Sequence, residues 1–277
     1  MRLADGRIIK FPAVMGILNV TPDSFSDGGL YIDPGRAVEH ALEMEAAGAA
    51  IIDVGGESTR PLGAAAVSVE TELARVMPVI ERLAGRLRAP LSVDTRRNAV
   101  ARAALDAGAA IINDISALEH DPKMAPVVAQ ARAAIILMHM RGGPTDHARH
   151  ARYRDVLGEV VAYLDRRSRV AVEAGIPRSR IMLDPGLGFA KNRRHNLIMM
   201  GGLWRLRALG FPVVVGASRK RFVRALAGEG AEMVEIGNSV VHALAVSSGA
   251  AVLRAHRVDA AIVALRMAAA IAAESRN

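Results

Sequence analysis

LDAGAAIINDI, residues 105–115, runs from a helix end through a glycine into a short apolar strand that stops at Asn113 and Asp114. Gly108 sits where a helix closes in the left-handed conformation, and the strand that follows shows no alternation of apolar and polar residues. The same grammar recurs in EAAGAAIIDVG (45–55) and VSSGAAVLRAH (246–256). Working outward, VMGIL (14–18), PLSVD (90–94), AIILMH (134–139), RIMLD (180–184) and PVVVG (212–216) bring the candidate strands to eight. Continuous apolar runs are what strands buried on both faces of a parallel sheet require. Helix-sized segments lie between them, with start signals at Asp33-Pro34, at Asp94 or Thr95, and at Pro122. Eight βα units in 277 residues predict an α/β fold, a single (β/α)8 TIM barrel spanning 1–277. A doubly wound open sheet has the same local grammar and is the alternative. MRLADGRIIKFP, ahead of the first strand, contains the turn dipeptide Asp5-Gly6 and predicts an N-terminal hairpin at the barrel floor. The segment 216–236 reads as one helix ending at 228–230 and a second beginning there.

The composition narrows the function classes. Half of the residues are hydrophobic (51%) but only 3% are aromatic, so the core is built from small aliphatic side chains. With no cysteine there is no disulfide, thiolate metal site or Cys nucleophile. The charged N-terminal residues lack the apolar run of a signal peptide, and no window reaches the ~18 apolar residues of a membrane span. A cytoplasmic protein with no membrane partner is expected. The net charge of +8 suits nucleic acid, an anionic membrane or an anionic small substrate. Arg and Lys are spread along helical segments such as 166–169 and 205–207 without interleaved aromatics. That pattern is a solvated basic surface with no nucleic acid partner.

In a barrel the strand ends converge on one mouth. Here they supply Asn19, Asp53, Asp94, Asn113 with Asp114, His139, Asp184, Ser218-Arg219-Lys220, and Arg254 with His256. For Asp94 and Asp114 two readings stay open, a group facing the mouth or a helix cap. Carboxylates and amides come from strands 2, 3, 4 and 6, cations from strands 7 and 8. The cationic side, where GASRK opens a helix, suits a phosphate. The acidic side suits a flat, amino-substituted heterocycle. In MGILNVTPDSFSDGG (15–29), Asn19, Asp23 and Asp27 offer hard oxygens for Mg²⁺ beside a polyphosphate. Ser, Thr and Gly give this loop the character of a lid, and Phe25 either packs or meets an apolar ring.

These residues resemble the dihydropteroate synthase family of pterin-binding barrels, over nearly the whole chain. The resemblance rests on MGILNVTPDSFSDGG, DVGGESTRP (53–61), SVDT (92–95), NDIS (113–116), MHMRG (138–142), DPGLGFAK (184–191), GASRK (216–220) and RAH (254–256). It implies that p-aminobenzoate attacks the methylene of 6-hydroxymethyl-7,8-dihydropterin pyrophosphate, releasing pyrophosphate with Mg²⁺ assisting. By carry-over, Asp94, Asn113, Asp184 and Lys220 hold the pterin. Asn19, Arg60, Arg254 and His256 hold the pyrophosphate, with Asn19 also on the metal. Phe25, Thr59, Arg60, Pro61, Phe189 and Ser218 surround p-aminobenzoate. Asp27, Asp94, Asp184 and Lys220 are the candidate catalytic residues. A homodimer through outer helices is also implied.

The sequence leaves the family wording at Leu62, Arg221, Arg257 and across 140–154. In that last stretch His147 and His150 read as part of a solvated basic loop, with no third ligand evident for zinc. Two alternatives share the pterin-holding residues. A methyltetrahydrofolate methyltransferase has no use for the SRK turn or for Arg254 with His256; a pterin-binding paralogue without turnover would release no pyrophosphate. Met199, Met200 and Trp204 are expected in helix packing, and VDAAIVALRMAAAIAAE in the outer helix after strand 8.

Overall fold

The computed structural model describes residues 1–21, 33–57 and 67–274. Eight parallel strands are present: β1 (Ala13–Asn19), β2 (Ile51–Gly55), β3 (Leu91–Asp94), β4 (Ile111–Asp114), β5 (Ala134–Met138), β6 (Ile181–Asp184), β7 (Val214–Val215) and β8 (Val252–Ala255). They run in the order β6-β5-β4-β3-β2-β1-β8-β7, and a parallel bridge from Leu183 to Val213 joins the two ends. The sheet is therefore a closed barrel, which excludes the open doubly wound alternative.

The three repeats that disclose the fold close their helices identically. At 48, 108 and 249 the glycine has φ of +105°, +106° and +91°. Its N–H bonds three residues back, and the N–H of the next residue bonds five residues back, as in Ala109 to the Ala104 carbonyl at 2.9 Å. This is the Schellman closure, which turns the chain from helix to strand in two residues. Around the barrel lie α1 (Pro34–Ala46), α2 (Val69–Leu83), α3 (Asn98–Asp106), α4 (Met124–Gln130), α5 (Val156–Glu173), α6 (Arg193–Gly201), α7 (Leu203–Arg207), α8 (Arg221–Ala227), α9 (Ala231–Ser247) and α10 (Val258–Glu274). Asp33 caps α1 as expected, its carboxylate accepting from the Gly35 N–H. Two expected starts move. α3 begins at Asn98, whose N–H bonds Asp121, and neither Asp94 nor Thr95 caps it. α4 begins at Met124, after Asp121 has accepted from the Lys123 N–H.

Two apolar layers follow. One lies between strands and helices, built from small aliphatic side chains such as Val14, Ile52, Val93 and Ala104. The other fills the barrel interior with Met15, Ile51, Ile111, Ile136, Met182, Val214 and Val252. Leu3 and Ile9 of the N-terminal hairpin join this inner layer, and Arg2 pairs with Ile8 across the turn at Asp5-Gly6. The hairpin is thus the floor, leaving the carboxyl ends of the strands as the open mouth. Trp204 departs from the packing role: it is 63% exposed, whereas its neighbours Leu203 and Leu206 on α7 turn inward and Met199 is buried. Among the described residues no helix is long and apolar enough to cross a membrane.

Because Leu3 is 2% exposed and seals the inner layer, Leu3→Ala removes its transfer free energy and leaves a cavity. A loss of about 2–5 kcal/mol is expected, read as a lower urea midpoint at unchanged slope. A loss under about 0.5 kcal/mol would mean that the hairpin is not part of the core.

Candidate active site

β1, β3, β4, β6 and β8 end on a single cavity of about 950 Å³, lined among others by Asn19, Asp94, Asn113, Asp184, Lys220, Arg254 and His256. The strand register explains the convergence. Asn19 pairs with Gly55, Gly55 with Asp94, Asp94 with Asn113, so the polar residues of neighbouring strands end at one level.

At the centre is Arg254. Its Nε donates to Asp53 Oδ2 at 2.7 Å and its Nη2 to Asp94 Oδ2 at 2.9 Å. Asp53 Oδ2 also accepts from Asn113 Nδ2 at 3.0 Å, which fixes the orientation of that amide. Burial alone would lower the Arg254 pKa, but Asp53 and Asp94 outweigh it and hold the guanidinium charged. Asp94 is pushed upward by burial, with Arg254 opposing. The expected separation of an acidic and a basic side is corrected here: the cation of strand 8 sits between the carboxylates of strands 2 and 3.

Asp184 ends β6, and its Oδ1 accepts from the Gly186 N–H at 2.6 Å. Burial raises its pKa, against the pull of that N–H, Arg254 and Lys220. Gly186 is obligatory, since a Cβ there would lie 2.0 Å from the His139 carbonyl oxygen at a φ of +67°. Lys220 precedes α8, its Nζ 4.0 Å from the centre of the Phe189 ring. Burial, with Arg254 adding to it, brings its pKa down to about 8. Phe189 packs with Ile115, Met138 and Met140. Ser218 Oγ lies 3.0 Å from His256 Nδ1 and 3.3 Å from the His256 backbone N–H, so two residues assigned to different ligands form one unit.

The open alternatives for Asp94 and Asp114 resolve differently. Asp94 faces Arg254 and the cavity. Asp114 is structural, accepting from the Ser116 N–H and Oγ and from the Leu118 N–H. His139 is corrected: it is 2% exposed, held by Lys191 Nζ at 2.9 Å, with the Tyr163 ring edge-on to it. Burial keeps it neutral. His147 is likewise no part of a solvated loop. It is buried, takes the Ala190 N–H on Nδ1 at 3.1 Å and stacks obliquely on Phe189. Among the described residues no group of three His, Asp or Glu could hold a metal ion. Phe25, Asp23, Asp27, Thr59, Arg60, Pro61 and Leu62 lie outside the described residues.

Two supports have no role in the sequence reading, Lys191 at the end of DPGLGFAK and Arg97 outside every motif. Lys191, buried, donates to the carbonyls of Gly186 and Phe189 at 3.1 Å each and thereby fixes the loop that carries Phe189. Arg97 forks onto Glu57 at 3.0 and 3.1 Å, reaches the Val67 carbonyl and pairs with buried Glu72. Asp53, a strand end whose role no motif spells out, anchors both Arg254 and Asn113.

Comparison with known proteins gives the family. Residues 15–256 match the family model described as pterin binding enzyme. The dihydropteroate synthase of Mycobacterium leprae (strain TN) is 48% identical over 93% of this chain and 92% of its own length. The solved Xanthomonas albilineans dihydropteroate synthase with 4-aminobenzoic acid is 46% identical, with a TM-score of 0.90 and 98% of each chain covered. The same enzyme in complex with 7,8-dihydropteroate gives 44% identity and a TM-score of 0.87, with 99% of each chain covered. A barrel whose mouth gathers these carboxylates, this amide and these cations, matched along almost its entire length, belongs to the dihydropteroate synthase family of pterin-binding enzymes.

Proposed function

We propose that the chain joins p-aminobenzoate to 6-hydroxymethyl-7,8-dihydropterin pyrophosphate, giving 7,8-dihydropteroate and pyrophosphate. The observation that carries this is the meeting of Asp94, Asn113, Asp184 and Lys220 with Arg254 and His256 in one cavity. A pterin edge needs the first set and a departing diphosphate the second. The solved relatives holding 4-aminobenzoic acid and 7,8-dihydropteroate support it. The arylamine lone pair forms the C–N bond as the C–O bond breaks; the electron pair leaves with pyrophosphate and the nitrogen loses a proton. Carboxylates fixed beside the ring stabilise the positive charge that spreads into the pterin. Arg254, already oriented by Asp53 and Asp94, is a preorganised cation between ring and leaving group. We assign Phe189 and Ser218 to the arylamine and Asn19 and His256 to the pyrophosphate; the family resemblance adds Phe25, Thr59, Arg60, Pro61 and Asp27, which lie outside the described residues. No Ser-His or Cys-His pair is called for, because an arylamine is a neutral nucleophile at pH 7.

Mg²⁺ is the cation we assign. Asn19 lines the cavity with a side chain that makes no hydrogen bond among the described residues, and its amide oxygen is the hard donor such an ion takes. When bound, the ion neutralises charge on the leaving diphosphate. We place the reaction in the cytoplasm. The decisive assay follows pyrophosphate release with Mg²⁺ and the pterin substrate, with and without p-aminobenzoate. Release only when both substrates are present, abolished by chelator, is expected; release without p-aminobenzoate, or none at all, overturns the reading.

The pH dependence has a definite sign. A lysine whose pKa falls to about 8 loses its donor charge as pH rises through that value. Affinity for the pterin substrate should then fall on the alkaline side, about tenfold per pH unit above 8. Lys220→Arg removes this limb, because a guanidinium stays protonated. An alkaline limb that persists in the arginine variant would assign it to another group.

We assign the assembly as a homodimer through α9 and α10. Met233, Ile236, Val240 and Leu244 form a stripe on α9, 49–57% exposed, and Val263, Met267 and Ile271 one on α10, 59–62% exposed. The two helices pack on each other. An apolar face of this kind marks an interface. Sedimentation velocity should give a dimer, converted to monomer by Val240→Asp with Met267→Asp; a monomeric wild type overturns the assignment.

A further inference from the structure

The turn that presents Ser218 and Lys220 is closed by the Lys220 N–H on the Ala217 carbonyl at 3.2 Å. Arg219 occupies its third position with φ of +58°. That is the left-handed region, which a turn of this kind ordinarily gives to glycine or asparagine and which strains any residue with a Cβ. The strain is held from α9, the helix that returns the chain to β8. Asn238 Oδ1 accepts from the Arg219 N–H at 3.1 Å, and Glu235 Oε1 accepts from Arg219 Nε at 3.2 Å. Asn238 Nδ2 in turn donates to Glu235 Oε2 at 3.2 Å, so the two side chains orient each other. Asn238 is 2% exposed. An amide does both jobs there, whereas an aspartate would set two carboxylates together and an apolar residue would leave the Arg219 N–H without this acceptor.

We propose that Asn238, braced by Glu235, is the positioning residue of the substrate-binding turn, holding Arg219 in its strained backbone so that Ser218 and Lys220 both stand in the cavity. This rests on the reading of Lys220 as a pterin-binding group. It goes beyond that reading by placing control of the turn on α9, the helix whose opposite face carries the apolar stripe. Occupation of that stripe and the geometry of Lys220 are then properties of one helix.

The test is a double-mutant cycle on the full chain. Pterin affinity and steady-state kcat/KM for the pterin substrate are measured for wild type, Asn238→Ala, Arg219→Gly and the double variant. Asn238→Ala is expected to cost about tenfold in kcat/KM, the order that release of one strained residue allows. In the Arg219→Gly background the same change should cost less than about threefold, because glycine takes the positive φ without a clamp. Equal losses in both backgrounds would mean that Asn238 supports packing alone, and no loss in either that the turn needs no clamp; both overturn the proposal. If Asn238→Ala does not fold, Glu235→Gln, at a partly buried position, takes its place with the same coupling expected, and its absence overturns the proposal in the same way. A wild-type chain that binds no pterin strikes the reading of the site on which the clamp rests; an active wild type with uncoupled variants strikes the clamp.

Discussion

A guanidinium in the mouth of a barrel must be neutralised by the barrel itself. Arg254 is held by Asp53, which has no exposed surface, and by Asp94. Removing one partner of such a buried pair costs about 3–5 kcal/mol, because the other charge is left in a poorly solvated place. The ion pair therefore dictates its surroundings. It keeps strands β2, β3 and β8 in the register that brings their ends level, and through Asp53 it fixes the Asn113 amide on β4. Among the described residues the remaining oxygen of Asp53 has no hydrogen-bond partner, so the cluster tolerates incomplete satisfaction at its centre in order to keep its groups in place.

The chemistry follows from that interleaving. A cavity with all its carboxylates on one wall and all its cations on the other would hold two ligands but separate them. Here the fixed positive charge of Arg254 lies between Asp53 and Asp94, and Lys220 sits over Phe189. The groups proposed to bind the pterin, the diphosphate and the aromatic amine are thus neighbours in one cavity, which in-line displacement demands. Close packing of the loops makes it possible: Gly186 lets the backbone after β6 press against that of β5, and Gly188 leaves room for the Lys220 stem.

Much of this was legible in the sequence because its determinants are local. A helix end, a glycine and a buried strand lie within a few residues of each other, so Gly48, Gly108 and Gly249 disclose the fold unaided. Strand ends disclose the mouth for the same reason. What the sequence hid is decided between segments far apart. Asp94 and Asp114 look alike in VDT and NDIS, yet one faces Arg254, 160 residues away, and the other closes its own turn. His139 and His147 read as rim or surface residues until Lys191 and Phe189 arrive from the next unit to bury them. Trp204 reads as core because tryptophan usually is, and only the rotation of α7 exposes it.

A more general discriminator separates structural from functional polar groups in this barrel, namely whether their hydrogen-bonding capacity is used up. Asp114 accepts three bonds from its own turn, and Lys191 donates to two carbonyls and reaches His139, filling all three directions of its ammonium. Such groups have little left for a ligand. Asp184 accepts a single bond, Asn19 and the Lys220 ammonium make none among the described residues, and all three line the cavity. A buried polar group left unsatisfied costs free energy unless something else completes it. The mouth is therefore a place where the fold gives up stability, and the hydrogen-bonded residues around it, Asp114, Lys191 and Arg97, help keep the unsaturated ones from relaxing toward one another.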